Sequence, residues 1–200
     1  MSPEVFQIIK NMYMENIDIQ LAVQCAPLLT GIKISNLLIV QKENTKHVEE
    51  MFQDSEIYYS ILCELNSKTT FLLYRRNELA NYLGEKEVKK LLAILGYTNQ
   101  TMKELISSFR KQYETYMENG GEFPHEIGLL LGYPVEDVYG FIVNRGQNFL
   151  YAGYWKVYEK LPEKLRMFEM YKQAKETTIQ LVSHGASILE VVDMYDRMKL

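Results

Sequence analysis

The chain has 200 residues, 47% of them hydrophobic and 24% charged, which is enough apolar material for one substantial core. Its net charge is −4 at pH 7 and its pI is near 5.5, so it is not built to attract polyanions. Two cysteines, Cys25 and Cys63, make neither a disulfide framework nor a zinc knuckle. No apolar run is long enough for a signal peptide or a bilayer span. The longest nearly uncharged stretch, 26–40, is interrupted by Pro27, Gly31 and Lys33. The expectation is a soluble cytoplasmic protein with no nucleic-acid and no membrane partner.

Ser2-Pro3-Glu4 starts a first helix: a capping hydroxyl, proline at the first helical position, then an acid. Val5, Ile8, Ile9 and Met12 follow at helical spacing. "CAPLLTGIKISNLLIV" breaks that helix at Pro27 and Gly31 and ends in a short buried strand, 37–40. "QKENTKHVEEMFQDS" reads as a loop and a short helix. "IYYSILCEL" and "TTFLLYRR" are β-rich and separated by Asn66-Ser67-Lys68, which predicts a hairpin. Leu62, Leu65, Phe71 and Leu73 are expected to line one covered face.

The chain then turns helical. "NELANYLG" and "EKEVKKLLAILGY" are punctuated by Gly84 and Gly96. Thr101 and Glu104 form a capping box. An apolar stripe from Met102 through Phe109 to Met117 follows, and Asn119-Gly120-Gly121 stops it. Tyr154 to Tyr158 suggests a further strand. Leu165, Phe168, Tyr171, Ala174, Thr178 and Leu181 define a long amphipathic helix that Gly185 ends, and a tail helix follows over 186–194. The architecture predicted is α+β, with a small, mostly antiparallel sheet packed by a larger set of helices. We expect one domain over 1–200, divisible at residue 76 into a sheet-containing part and a mainly helical part. Leu95-Gly96-Tyr97 and Leu131-Gly132-Tyr133 repeat at an offset of 36, which we read as shared local geometry and not as duplication.

"FPHEIGLLLGYPVEDVYGFI", 123–142, is the most informative stretch. Helix, glycine turn and helix form the skeleton of a DNA-reading motif. However, the second helix opens with Glu136 and Asp137, which would repel phosphate, and the first cation, Arg145, lies past its end. His125 and Glu126 sit at a helix start. They either cap that helix or serve as a base or ligand facing a site. Zinc-peptidase spacing fails, because Leu129 stands where a second histidine is needed. No metal site and no phosphate-binding glycine loop is expected. Cys25, followed by Ala26-Pro27, is either an accessible nucleophile at a bend, with His125 as its base, or a small residue buried in a packed turn. Cys63 reads as core.

"CAPLLTGIKISNL", the 123–142 block and "GYWKVY" together resemble an uncharacterised bacterial domain-of-unknown-function family, family 3793, with members mainly in anaerobes. The resemblance runs from about Cys25 to about Tyr171. Members often carry histidine immediately before the cysteine, where this chain has Gln24. The resemblance implies no established activity, though it points towards iron, haem or redox physiology. No cofactor is named by the sequence.

Read physically, these blocks suggest one shared site. Its catalytic candidates are Cys25, His125 and Glu126. Its ligand-binding candidates are Lys33, Asn36, His125, Tyr154, Trp155 and Lys156, a mixture of aromatic walls and a few polar heads. Three functions compete: a small-molecule or cofactor binder, a thiol-dependent enzyme using Cys25 and His125, and an interaction module with a tyrosine-rich face.

Overall fold

The computed structural model describes residues 2–12 and 16–198. It is α+β, with ten α-helices among the described residues, a three-stranded antiparallel sheet and a separate two-stranded ribbon. Helix α1 spans Pro3–Met12, and its Val5 amide donates to the Ser2 hydroxyl. Helix α2, Ile17–Leu29, is capped by Asn16, whose side chain accepts from the Ile19 amide. Nine of its residues are buried. A helix apolar on most sides belongs in an interior, and α2 packs against β1 (Ser35–Gln41), α9 (Leu161–Ser183) and α10 (Ile188–Arg197).

Proline does not break α2 where expected. The helix passes through Pro27 to Leu29, and Gly31, at φ 68°, makes the turn. Two features hold this end. The Pro27 carbonyl accepts from the amides of Ile32 and Lys33. The buried Arg75 guanidinium donates to the carbonyls of Leu28 and Leu29 while pairing with Asp196 at 2.9 Å. A cation at a helix C-terminus meets both the unpaired carbonyls and the negative end of the helix dipole.

The sheet order is β1-β3-β2. β2 (Ile57–Leu65) and β3 (Lys68–Arg75) form the predicted hairpin, with Asn66 and Ser67 both at positive φ in the two-residue turn. The expected single covered face is corrected. Phe71 and Leu73 point into a core with α2 and α10, while Leu72 and Leu62 point into a second core on the opposite face. A bulge between Ile61 and Cys63 shifts the alternation: Ile57, Tyr59 and Ile61 face the first core, whereas Cys63 and Leu65, which strict period-two counting would place with them, join Leu62 in the second.

The second core is closed by α4 (Arg76–Gly84), α5 (Lys86–Ile94) and α6 (Met102–Asn119), with α7 (Ile127–Leu130) and α8 (Val135–Val143). α6 begins with the capping box read from Thr101 and Glu104. The chain does not segregate at residue 76, since α9 and α10 return to pack on α2. The expected strand at 154–158 is instead a short ribbon of β4 (Tyr151–Ala152) and β5 (Lys156–Val157). No described helix is long and apolar enough to cross a membrane.

Because both sheet faces are covered, Phe71→Ala and Leu72→Ala should each cost about 2–5 kcal/mol of unfolding free energy in urea titrations. A sheet covered on one side only would leave Leu72→Ala nearly neutral.

Candidate functional site

The site forms around the corner between α7 and α8. α7 is a single turn, and Leu131-Gly132-Tyr133 ends it. Gly132 has φ 66°, and the Tyr133 amide reaches back to the Gly128 carbonyl at 2.9 Å. Leu95-Gly96-Tyr97 closes α5 in the same way, with the Tyr97 amide on the Leu92 carbonyl at 2.9 Å. Both are glycine-terminated helix ends of one type, which accounts for the internal echo. A Cβ on Gly132 would also lie 2.5 Å from the Ile34 side chain, so the corner needs glycine on two counts.

Three hydrogen bonds seat the corner on the sheet and its helices. The buried Ser35 hydroxyl donates to the Leu130 carbonyl at 2.5 Å. The Tyr82 hydroxyl donates to the Tyr133 carbonyl at 2.5 Å. The Tyr97 hydroxyl donates to the Glu126 carboxylate. Glu126 is therefore a buried structural acceptor. It stands at the N-cap position of α7 but makes no side-chain cap bond.

The ribbon is fixed to α8 by Asp137. This carboxylate is 2% exposed and accepts from Trp155 Nε1 at 2.7 Å, from the Tyr158 amide at 2.8 Å and from the Glu159 amide at 3.2 Å. A buried carboxylate is tolerable when charge-assisted donors surround it. Trp155, the only tryptophan, then stacks on Tyr133 at 4.9 Å and meets Phe168 edge-on at 4.6 Å.

Between corner and ribbon lies a half-open, mainly apolar cleft of about 260 Å³. Its walls include Phe123, Tyr133, Phe141 and Trp155, and its polar side chains are His125, Asp137 and Lys156. His125 is held edge-on to Phe141 at 5.3 Å and lies beside Phe123 at 6.1 Å. Its Nδ1 is buried and has no hydrogen-bond partner among the described residues. Lys156 donates to the Gly146 carbonyl at 2.7 Å, and its ammonium lies over Phe149 at 4.8 Å and Phe141 at 5.6 Å.

Of the residues singled out from sequence, His125, Trp155 and Lys156 share this cleft. Cys25, Lys33 and Asn36 form a separate buried cluster between α2 and β1. The Asn36 side-chain amide donates to the Gln24 carbonyl at 2.7 Å and contacts Cys25 Sγ at 3.7 Å, and its Oδ1 accepts from Lys33 at 2.8 Å. Lys33 also faces the Tyr133 ring at 5.1 Å, so Tyr133 connects the two groups. Tyr154 does not line the cleft. It lines a shallow groove with Leu165 and Phe168 and packs edge-on to Tyr171.

The accessible-nucleophile reading of Cys25 is corrected at its premise. Cys25 sits inside α2, fully buried, with its thiol directed at the Leu37 carbonyl at 3.5 Å. Burial pushes that thiol up to about 12, against the opposing pull of Lys33. Burial lowers the Lys33 ammonium to about 8, with Cys25 acting to raise it. Sequence reasoning missed Asp137, Tyr133 and Phe141 as site residues. Asp137 reads in sequence as an acid favouring a helix start, and nothing local reveals a tryptophan donor eighteen positions on. Among the described residues, no cluster of three or more His, Cys, Asp or Glu is placed to hold a metal ion.

The fold and the cleft define an α+β protein with a small aromatic-walled cavity between a helical corner and a β-ribbon. The chain belongs to a family described as "Protein of unknown function (DUF3793)", whose model matches residues 21–192. No curated protein and no solved structure matches the chain.

Asp137→Ala should lower stability by about 2–4 kcal/mol, because the Trp155, Tyr158 and Glu159 donors lose their acceptor. It should also red-shift the single-tryptophan emission. Thiol titration should find Cys25 and Cys63 unreactive in the folded protein and both reactive in denaturant.

Lys33 sets a pH dependence. Folded, it releases its proton near 8, whereas the unfolded chain keeps it to the ordinary 10.5. The unfolded state therefore binds more protons across that window, and stability rises with pH, by about 1 kcal/mol between 8 and 9. Above 9 the Cys25 thiol opposes the rise, since it ionises near 9 unfolded and near 12 folded. Urea titrations across this range should show the rise in the native chain and its loss in Lys33→Met.

Proposed function

We propose that the protein binds a small planar aromatic molecule carrying an acidic group in the cleft between His125 and Trp155. The observation that carries this reading is the His125 imidazole. It is clamped by aromatic rings, and one buried ring nitrogen has no partner among the described residues. A buried polar atom left unpaired costs stability, and a small shift of the imidazole or of the Phe123 or Phe141 ring beside it would let a ligand hydrogen bond remove that cost. Tyr133, Phe141 and Trp155 offer ring faces and edges for a flat guest. Lys156 uses one ammonium hydrogen on Gly146, and the remaining two can meet an anionic group. Asp137 takes no part in this, because its carboxylate is acceptor-only and already engaged by three protein donors.

Size narrows the class. A cavity of about 260 Å³ lies below the ~300–1,000 Å³ common for drug-sized ligands. It suits one or two fused rings and is too small for a haem macrocycle, so the haem expectation does not fit this cleft. A thiol-dependent mechanism finds no support in a fully buried, protonated Cys25 that does not line it.

The test is a titration with benzoate, hydroxybenzoate and naphthoate, followed by Trp155 emission and by calorimetry. Binding should be micromolar to millimolar and should weaken about tenfold or more in His125→Ala. Lys156→Gln should weaken the acids and spare the matching primary amides. No binding, or binding indifferent to His125→Ala, would reject the proposal.

A further inference from the structure

We infer that the free edge of β2 is a docking site for an extended acidic peptide, which adds to the sheet as a fourth strand. The inference is independent of the cleft and rests on the hydrogen-bond bookkeeping of the two sheet edges. β1 and β2 are the outer strands. The β1 edge is closed, because the Gln24 side chain donates to the Ile39 carbonyl at 3.0 Å and accepts from the Ile39 amide at 2.9 Å. The start of the β2 edge is closed in the same manner by Ser55, whose hydroxyl accepts from the Ile57 amide and donates to the Ile57 carbonyl.

Backbone groups alternate sides along a strand. Since the Ile57 groups face away from β3, those of Tyr59 and Ile61 do as well. The register agrees: on the far side of β3, the Arg75 amide turns towards β1, to the Ile34 carbonyl. Among the described residues nothing takes the outward amide and carbonyl groups of Tyr59 and Ile61. The bulge after Ile61 ends the open segment. An unpaired edge of this kind is a template for another strand.

The surroundings select the occupant. A groove of about 640 Å³ runs beside this edge, against the first turns of α6. Four consecutive β2 residues, 58–61, line it. Consecutive residues point to opposite faces, so a groove touching all four must follow the edge itself. Its cations are Arg76, Lys103 and Arg110, and among the described residues no acidic side chain lines it, in a chain of net charge −4. Arg76 lies over the Tyr58 ring at 5.6 Å, and Arg110 pairs with Glu114 at 3.0 Å. Glu56 and Glu78 line a neighbouring groove that shares Tyr58 and Arg76. Charge complementarity thus favours an extended segment with acidic side chains, and the Tyr58 and Tyr59 rings provide apolar seats between the charges.

The probe is a short fluorescein-labelled peptide alternating Glu and Val, read by anisotropy on the full chain. Its controls are the Lys–Val counterpart and a version N-methylated at alternate amides, in each of the two possible phases. The acidic peptide should bind at least about tenfold more tightly than the basic one. At least one N-methylated phase should lose binding by a similar factor, and Lys103→Gln with Arg110→Gln should weaken it. On binding, the Tyr59 and Ile61 amides should gain protection from hydrogen exchange. Equal binding of every N-methylated form would reduce the site to a basic patch and overturn the inference. Failure of the acidic peptide to bind, or binding without protection at Tyr59 and Ile61, would also overturn it.

Discussion

A small sheet is stabilised by covering its hydrophobic faces, and in this protein both faces are covered. The central strand β3 sends Phe71 and Leu73 into one core and Leu72 into the other. Everything else is arranged to keep both faces dry. α2, buried on most sides, fills the first face, and α9 and α10 close over it. On the second face α4 to α8 supply the cover, with α6 against β2 and α8 against α5 and α7. The C-terminal end of α2 and the end of β3 meet at Arg75, which satisfies two helix carbonyls and pairs with Asp196 of α10. One buried cation thereby ties together helix, sheet and tail.

The corner between α7 and α8 is a consequence of the same covering. It is seated by Ser35 from β1, Tyr82 from α4 and Tyr97 from the loop after α5. With the corner fixed, Asp137 has a fixed position from which to hold Trp155 and the backbone of the ribbon. The cleft is the space that these two rigid pieces leave between them, so its walls are pre-formed. Pre-organisation of this kind lowers the ordering cost of binding. Among the described residues His125 Nδ1 is unpaired, whereas the neighbouring polar groups Glu126, Asp137 and Lys156 all have partners.

The residues of the cleft were partly legible in the sequence. His125, Trp155 and Lys156 lie within two short blocks rich in aromatic and charged residues. Cys25, Lys33 and Asn36 came from a third block that packs behind Tyr133 and not into the cavity. Proximity in a sequence motif does not say on which side of a ring a side chain will lie. Glu126 and Tyr154 illustrate the point, since each adjoins a cleft residue and points elsewhere. Asp137 was visible only as an acid at a helix start, because its partners come from a ribbon too short to leave a periodic signal.

The sequence by itself determined what depends on neighbours in the chain. This covers the hairpin turn at Asn66-Ser67, the capping box at Thr101 and Glu104, the glycine stops, the long helix ended by Gly185 and the α+β class. Each rests on local backbone preference or on a period of two or 3.6. The tertiary structure decided the rest. It carried α2 through Pro27, because Arg75 and the returning chain satisfy that helix end. It buried Cys25, covered the sheet on both faces and brought His125 opposite Trp155. It also closed the β1 edge with Gln24 and left the β2 edge open. These outcomes depend on contacts between residues far apart in the chain, and no local pattern encodes which distant donor, ring or edge a side chain will meet.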